Sequence, residues 1–375
     1  MSLRERDRLV VMRHLSENIL SLEDAAKAMG LSYRHARRVA QRYRASGDSG
    51  LVHASRGRLG NHRLPGAFRE EVLRLYRGHL PNYGPTLASE VLKEDFGVEV
   101  CPETLRRWLH AECLIVPRAL ALKHRRRRPR RECFGEMLQM DGSAHAWFKE
   151  RAPACNLMVA VDDATGRTLC FFSVQETLLS AYELLHQWIV HHGVPESLYV
   201  DRRTIYEANR EPFGWEKRLG TGAMTDFGHA CRALWIRLIR ARSPQGKGRV
   251  ERKNQDLQDR LVKALERKGI SSICEANAYL PEYLEGFNAR FSRPAASAVD
   301  RHRQRPDAQH LNELLCRQEE RTVQNDWTLS VGGRTYQIVD KDCPARQKVM
   351  VRRHLDNTVS ILREGRRLHF HEVAY

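Results

Sequence analysis

Between residues 123 and 131 the chain reads Lys-His-Arg-Arg-Arg-Arg-Pro-Arg-Arg, seven cationic side chains in nine positions. No core can absorb such a run, because each unpaired buried cation costs several kcal/mol or more. It has to lie in solvent or on phosphates, and the length of 375 residues allows two or three domains around it. The charge is also unevenly placed. Residues 1–132 carry 27 Lys/Arg against 15 Asp/Glu, and the remainder 36 against 31, so most of the net +17 sits in the first third. An excess of that size points to a polyanionic partner. No apolar run approaches the ~18 residues of a membrane span, and the opening Met-Ser-Leu-Arg-Glu-Arg-Asp-Arg is not a secretory signal. Nine cysteines without a C-x-x-C pair read as free thiols of a reducing compartment. We therefore expect a cytoplasmic protein.

The first third reads as two all-α DNA-binding units. In residues 1–45, apolar positions at helical spacing (Leu9, Val10, Met12, Leu15, Ile19) give one helix. Ser21 as N-cap and Gly30 as stop bound a second. Residues 33–43 form a third, bearing Arg34, Arg37, Arg38 and Arg42. Helix, short turn with Gly, basic helix is a helix-turn-helix pattern, whose second helix enters the major groove. The Gly/Ser-rich, basic residues 46–64 form a linker, with Arg56 and Arg58 placed for a minor groove. Residues 65–116 hold three more predicted helices (68–80, 85–96, 101–110), again helix-turn-helix-like, with Arg106 and Arg107 as candidate DNA contacts. The polybasic linker, residues 117–132 with Arg125, Arg126, Arg127 and Arg128, would track a DNA backbone.

From residue 136 the pattern becomes one of strands: 136–141, 156–161, 168–174, 197–200 and 236–240. Asp162-Asp163-Ala-Thr-Gly-Arg167 is a hairpin turn by composition. Helices are predicted at 176–192, 227–235 and 250–268. Three meandering strands followed by α-β-α-β-α predict an α/β RNase H-like core with a mixed five-stranded sheet over residues 133–290, with an insertion at about 203–224. A helical connector (291–324, helix 307–321) leads to a small β-rich, barrel-like C-terminal domain at 325–375, built on two predicted hairpins.

Three acids stand at the stations where such a core does chemistry. Asp141 and Asp201 each end an apolar strand, and Glu251 begins the last core helix in Ser-Pro-Gln-Gly-Lys-Gly-Arg-Val-Glu251. If the first and fourth strands are neighbours, the two aspartates face one another. Clustered carboxylates raise one another's pKa. Two Mg²⁺ resolve this, because three acids, two divalent cations and one phosphodiester sum to neutrality. Hard cations prefer oxygen ligands, and a pair about 4 Å apart can activate a nucleophile and stabilise a leaving oxygen. Asp226 is a rival second acid, but it precedes a helix. Glu251, Asn254, Gln255 and Gln258 share one helix face, making Asn254 and Gln255 candidate DNA contacts beside Lys247 and Arg249.

These residues, with Arg-Val-Glu-Arg-Lys-Asn around the glutamate, resemble the DDE transposases of bacterial insertion sequences, in the retroviral-integrase superfamily. Asp-Gly-Ser-x-His-x-Trp-Phe at 141–148 and Thr225-Asp-Phe-Gly-His-Ala230 are most similar to the ISNCY type. The 50 residues from Asp201 to Glu251 exceed the compact integrase spacing, which the insertion would explain. The resemblance implies a transposase that binds terminal inverted repeats and performs end cleavage and strand transfer. It implies Mg²⁺ (two ions, Mn²⁺ as substitute) held by Asp141, Asp201 and Glu251, a dimer or larger assembly on two DNA ends, and a bacterial, nucleoid-associated location. Two alternatives stay open at this stage. One is a DNA-binding regulator with an inactive core, and the other is an RNase H-like nuclease acting on junctions or hybrids.

Overall fold

The structure is a computed structural model that describes residues 1–53, 56, 64–116, 128–212, 217, 220, 222–241 and 248–373. The chain forms two compact units, Met1–Ala121 and Leu122–Tyr375.

The first unit is helical. Helices α1 (Leu3–Ser16), α2 (Leu22–Ala28) and α3 (Tyr33–Ser46) begin at Ser2, Ser21 and Ser32. Each serine hydroxyl accepts an orphan first-turn N–H. Gly30 lies at φ +64 in the turn before α3. Met12, Ala25, Val39, Ala40 and Leu51 form one core. A second core joins α4 (Gly66–His79), α5 (Pro85–Phe96) and α6 (Pro102–Ala111) through Val72, Tyr76, Leu92, Leu105 and Leu109. Pro85 and Pro102 occupy first-turn positions, where a missing N–H costs nothing.

The second unit is built on a five-stranded sheet of order β3-β2-β1-β4-β5. Its strands are β1 (Leu138–His145), β2 (Cys155–Asp162), β3 (Thr168–Ser173), β4 (Ser197–Val200) and β5 (Arg237–Arg240). The first three pair antiparallel, and β1–β4 and β4–β5 pair parallel, which is the mixed order expected of an RNase H-like core. Alternation along the strands separates two layers. Leu138, Met140, Met158, Ala160 and Val200 pack with α7 (Leu178–His192) and α8 (Asp226–Ala233). Leu157, Val159, Val161 and Phe172 pack with α9 (Gly248–Arg267) and α10 (Ile273–Phe291). On α10, Asn277 and Asn288 each accept from and donate to the backbone of Phe172 and Thr168, covering the free edge of β3 at 2.7–2.9 Å.

The connector departs from its expected form. Helix α11 ends at Leu314 (Ala308–Leu314), and β6 (Arg317–Thr322) replaces the remainder of the helix predicted to run to 321. Its polar sequence favours no strand by itself; six residue pairs with β9 (Lys348–Arg353) impose one. Strands β9, β10 (Val359–Arg363) and β11 (Arg366–Leu368) complete a four-stranded sheet. A three-stranded sheet of β7 (Thr328–Val331), β8 (Arg334–Ile338) and β12 (Phe370–Val373) shares its core. Gly332 and Gly333, both at positive φ, make the two-residue turn between β7 and β8. Among the described residues no helix is long and apolar enough to cross a membrane.

Candidate active site

Parallel pairing sets the first two acids side by side. Leu138 lies opposite Leu198 and Gln139 opposite Tyr199. The recorded pairing stops there, two residues short of Asp141 on β1 and of Asp201, which lies just past the end of β4. Both residues are half-buried, but only Asp201 lies past the end of its strand: β1 runs on to His145 because it stays paired with β2 as far as Cys155, so Asp141 sits within β1 and does not end it as expected.

The helix bearing Glu251 is laid along the same strand. Val250 N–H donates to Gln139 Oε1 (3.3 Å), Asn254 Nδ2 to Asp141 Oδ2 (3.2 Å) and Gln258 Nε2 to Ser143 Oγ (3.0 Å). Four helical residues advance about 6 Å and two strand residues about 6.7 Å. Positions 250, 254 and 258 therefore keep step with 139, 141 and 143. Glu251 occupies the first turn of α9 one turn before Asn254, with its side chain exposed. Among the described residues no three His, Cys, Asp or Glu side chains converge to hold a metal ion. Asp141 and Asp201 thus stand on neighbouring strands, both acting on Tyr206, and Glu251 stands on the helix hydrogen-bonded along β1.

A fourth carboxylate, which the sequence reading missed, belongs to this rim. Glu176 is ion-paired with Arg203, whose Nε lies 3.0 Å from Asp201 Oδ2 and whose backbone N–H donates to Asp201 Oδ1 at 3.0 Å. Its Oε2 lies so close to Gly142 that a Cβ there would sit 2.1 Å away. The buried Tyr206 stands beside all of them. Burial first, then the charges of Glu176, Asp201 and Asp141, hold its phenol well above the ordinary range. The one sequence clue was Gly142 itself, a glycine directly after a rim acid. Asp226, the rival acid, is half-buried at the start of α8: burial raises its pKa, and its carboxylate accepts the backbone N–H of Gln318.

The expected DNA contacts divide. Arg34, Arg37, Arg38 and Arg42 are exposed on α3, opposite its buried Ala36, Val39 and Ala40. Arg107 is exposed, and Arg106 is exposed but paired with Glu103. Gln255 is exposed on α9. Four others make contacts within the protein. Arg56 donates to Glu5 at 2.6 Å. Arg128 and Arg249 both pair with Asp163. Asn254 is buried against Asp141, turned inward because Val250 and Leu257 on either side of it are core residues. Arg58, Arg125, Arg126, Arg127 and Lys247 lie outside the described residues.

Comparison with known proteins agrees with this architecture. Two homeodomain-like domain models match, at residues 2–52 and 35–109. The transposase y4bF of Sinorhizobium fredii is 36% identical over 334 residues, covering 88% of this chain and 72% of its own length. The transposase for insertion sequence IS1202 of Streptococcus pneumoniae is 30% identical over 370 residues, covering 88% and 77%. Among solved structures, the catalytic core domain of BIV integrase is similar at 22% identity over 45% of this chain and 90% of that one, with a TM-score of 0.29. The two transposase relatives and the homeodomain-like matches define the class: a DNA-binding transposase. The chain belongs to the transposases of bacterial insertion sequences, polynucleotidyl-transferase-type enzymes that carry DNA-binding helix-turn-helix domains.

Proposed function

We propose that Asp141, Asp201 and Glu251 form the DDE site of this transposase, and that it cleaves DNA at the terminal inverted repeats of its element and joins the freed ends to target DNA. The observation that supports the reading is the parallel pairing of β1 with β4, the strands that lead to the two aspartates, together with the hydrogen bond from Asn254 on the Glu251 helix to Asp141. The donor set suits a hard divalent cation, for it is all oxygen, and Asn254 Oδ1 is buried without a hydrogen-bond partner among the described residues. Asp141, Asp201 and Glu251 would hold Mg²⁺ or Mn²⁺. When bound, the cations supply activation of the attacking oxygen and stabilisation of the leaving one.

The residues of the chain do the positioning. Asn254 fixes the orientation of the Asp141 carboxylate, and Arg203 fixes Asp201 from two directions. Glu251, exposed on the first turn, has to turn toward the pair. In the first reaction a water oxygen attacks the phosphorus at the element end. The P–O3′ bond breaks, leaving a 3′-OH and a 5′-phosphate, and the water proton passes to solvent. In the second, that 3′-OH attacks a target phosphorus and expels a target 3′-OH, conserving the number of phosphodiester bonds. The homeodomain-like units at 1–45 and 65–116 would select the ends, with arginine contacts to phosphate supplying affinity, and the core at 133–290 would act on them. Pairing two ends calls for at least two copies of the chain.

Asp141→Asn tests the assignment on labelled end fragments. We expect Mg²⁺-dependent nicking to fall at least about a thousandfold while end binding stays within twofold. A wild-type chain that binds ends and never nicks them with Mg²⁺ or Mn²⁺ would favour a regulator with an inactive core.

A further inference from the structure

Asp163, read from sequence as a turn residue, is fully buried and lies where three parts of the catalytic unit meet. Its Oδ1 accepts from Arg249 Nη1 (2.7 Å), Gln139 Nε2 (2.7 Å) and the Arg128 guanidinium, and its Oδ2 accepts the backbone N–H of Arg131 (2.8 Å). Arg249 stands two residues before Glu251, and its second arm donates to the Arg128 carbonyl at 2.8 Å. Gln139 stands two residues before Asp141 and is itself fully buried.

Gln139 joins the two acids by a specific geometry. The N–H of Val250 lies in the first turn of α9, where no intrahelical acceptor exists, and Gln139 Oε1 receives it at 3.3 Å. The strand that carries Asp141 therefore caps the helix that carries Glu251. A side-chain amide can present its oxygen to the helix only if its NH₂ finds an acceptor on the other side. Asp163 is that acceptor. One carboxylate thus sets the orientation of the cap and, through Arg249, holds the residue leading into the same turn.

We infer that Asp163 and Gln139 are positioning residues that fix the first turn of the Glu251 helix relative to Asp141. This rests on the assignment of Glu251 to the catalytic site. Neither residue touches the reacting atoms in this scheme. Losing either should misplace Glu251 and slow the chemical step without weakening DNA binding.

The test uses the full chain. Gln139→Met keeps volume in a buried place and removes both hydrogen bonds, and Asp163→Asn keeps shape and removes the charge. Both should lower kcat for end cleavage at least about tenfold while KM and the Kd for end DNA stay within twofold. The double variant should be no slower than the worse single one, because both act through one device. Amide hydrogen exchange should quicken at residues 250–253 and hold steady on α7. Glu251→Gln, run alongside, tests the parent reading, and wild-type cleavage by that variant would sink the catalytic assignment itself. If Glu251→Gln is inactive while Gln139→Met keeps wild-type kcat and exchange, the positioning role is wrong and the assignment stands. Losses that multiply in the double variant, or that fall on Kd alone, likewise overturn it. Should Asp163→Asn fail to fold, Gln139→Met decides by the same readouts.

Discussion

Gly142 shows how little room a catalytic rim leaves. It follows Asp141 on β1, and its Cα faces the α7 side of the sheet, where Glu176 Oε2 would meet a Cβ at 2.1 Å and Asn156 Nδ2 at 3.2 Å. Glu176 is nearly buried and held by Arg203, which also holds Asp201. In Gly142→Ala the Glu176 carboxylate must give way, and the Arg203 bridge to Asp201 goes with it. We expect a destabilisation of about 1–3 kcal/mol from overpacking and a loss of end cleavage larger than that stability change explains. Thermal unfolding set beside single-turnover cleavage checks it, and a variant with wild-type turnover would show that Glu176 and Arg203 leave Asp201 alone. Asp141 and Asp201 drew notice because each follows an apolar run, although β1 continues past Asp141 to His145 and only Asp201 lies beyond the end of its strand. Asp163 was not, because two aspartates in a hairpin turn look alike on paper. Asp162 is the turn residue, accepting from Thr165 and Gly135. Asp163 is set apart by what comes to it from a distance: Arg128, Arg249, Gln139 and the Arg131 N–H.

At the scale of elements, local signals served best where they were self-contained. The Ser21 cap of α2 and the hairpin of β7 and β8 stand where the sequence placed them. The helix expected to reach residue 321 did not survive, because β9 lies 26 or more residues further along and offers a ladder that local propensity cannot foresee. Another distant contact shapes the first helix. Glu5 closes a capping box with Ser2 and also accepts the His53 N–H and Arg56. These hydrogen bonds, that of Ser2 foremost, bring its pKa from 4.5 down to about 2. A carboxyl depressed by folding contributes stability that is fully present above its unfolded value and is lost as pH falls through the folded one. The first helical unit should therefore lose stability between about pH 4.5 and pH 2, and Glu5→Gln should flatten that limb while lowering the melting temperature at pH 7. Circular dichroism melts of a fragment carrying residues 1–121 measure it. An unchanged acid limb in Glu5→Gln would remove Glu5 as its cause.

Across the whole molecule, the basic run is where DNA affinity and the catalytic unit compete for the same charges. From sequence it is one polybasic linker, but its far end is already engaged. Arg128 pairs with Asp163, Arg131 pairs with Glu136 at 3.2 Å, and Arg130 Nη1 donates to the carbonyls of Asp163 and Ala164 at 3.1 and 3.2 Å. Lys123, Arg125, Arg126 and Arg127 lie outside the described residues, and phosphate is their expected partner. Each phosphate neutralised on duplex DNA steepens the dependence of log K on log salt by about 0.9, so four cations contribute at most about 3.6. Changing those four to alanine in the full chain should flatten the slope by up to that amount and weaken end and random duplex alike, since phosphate contacts position without specifying. Arg130→Ala should leave the slope within about 0.3, because its guanidinium serves main-chain carbonyls, and should instead lower the melting temperature. Arginines of α3 belong to a different class: replacing Arg38 should cost end binding more than random binding wherever it reaches a base edge. If Arg130→Ala flattens the salt slope as much as one of the four does, the run acts on DNA as a single block, and its docking on the core gives way whenever DNA is bound.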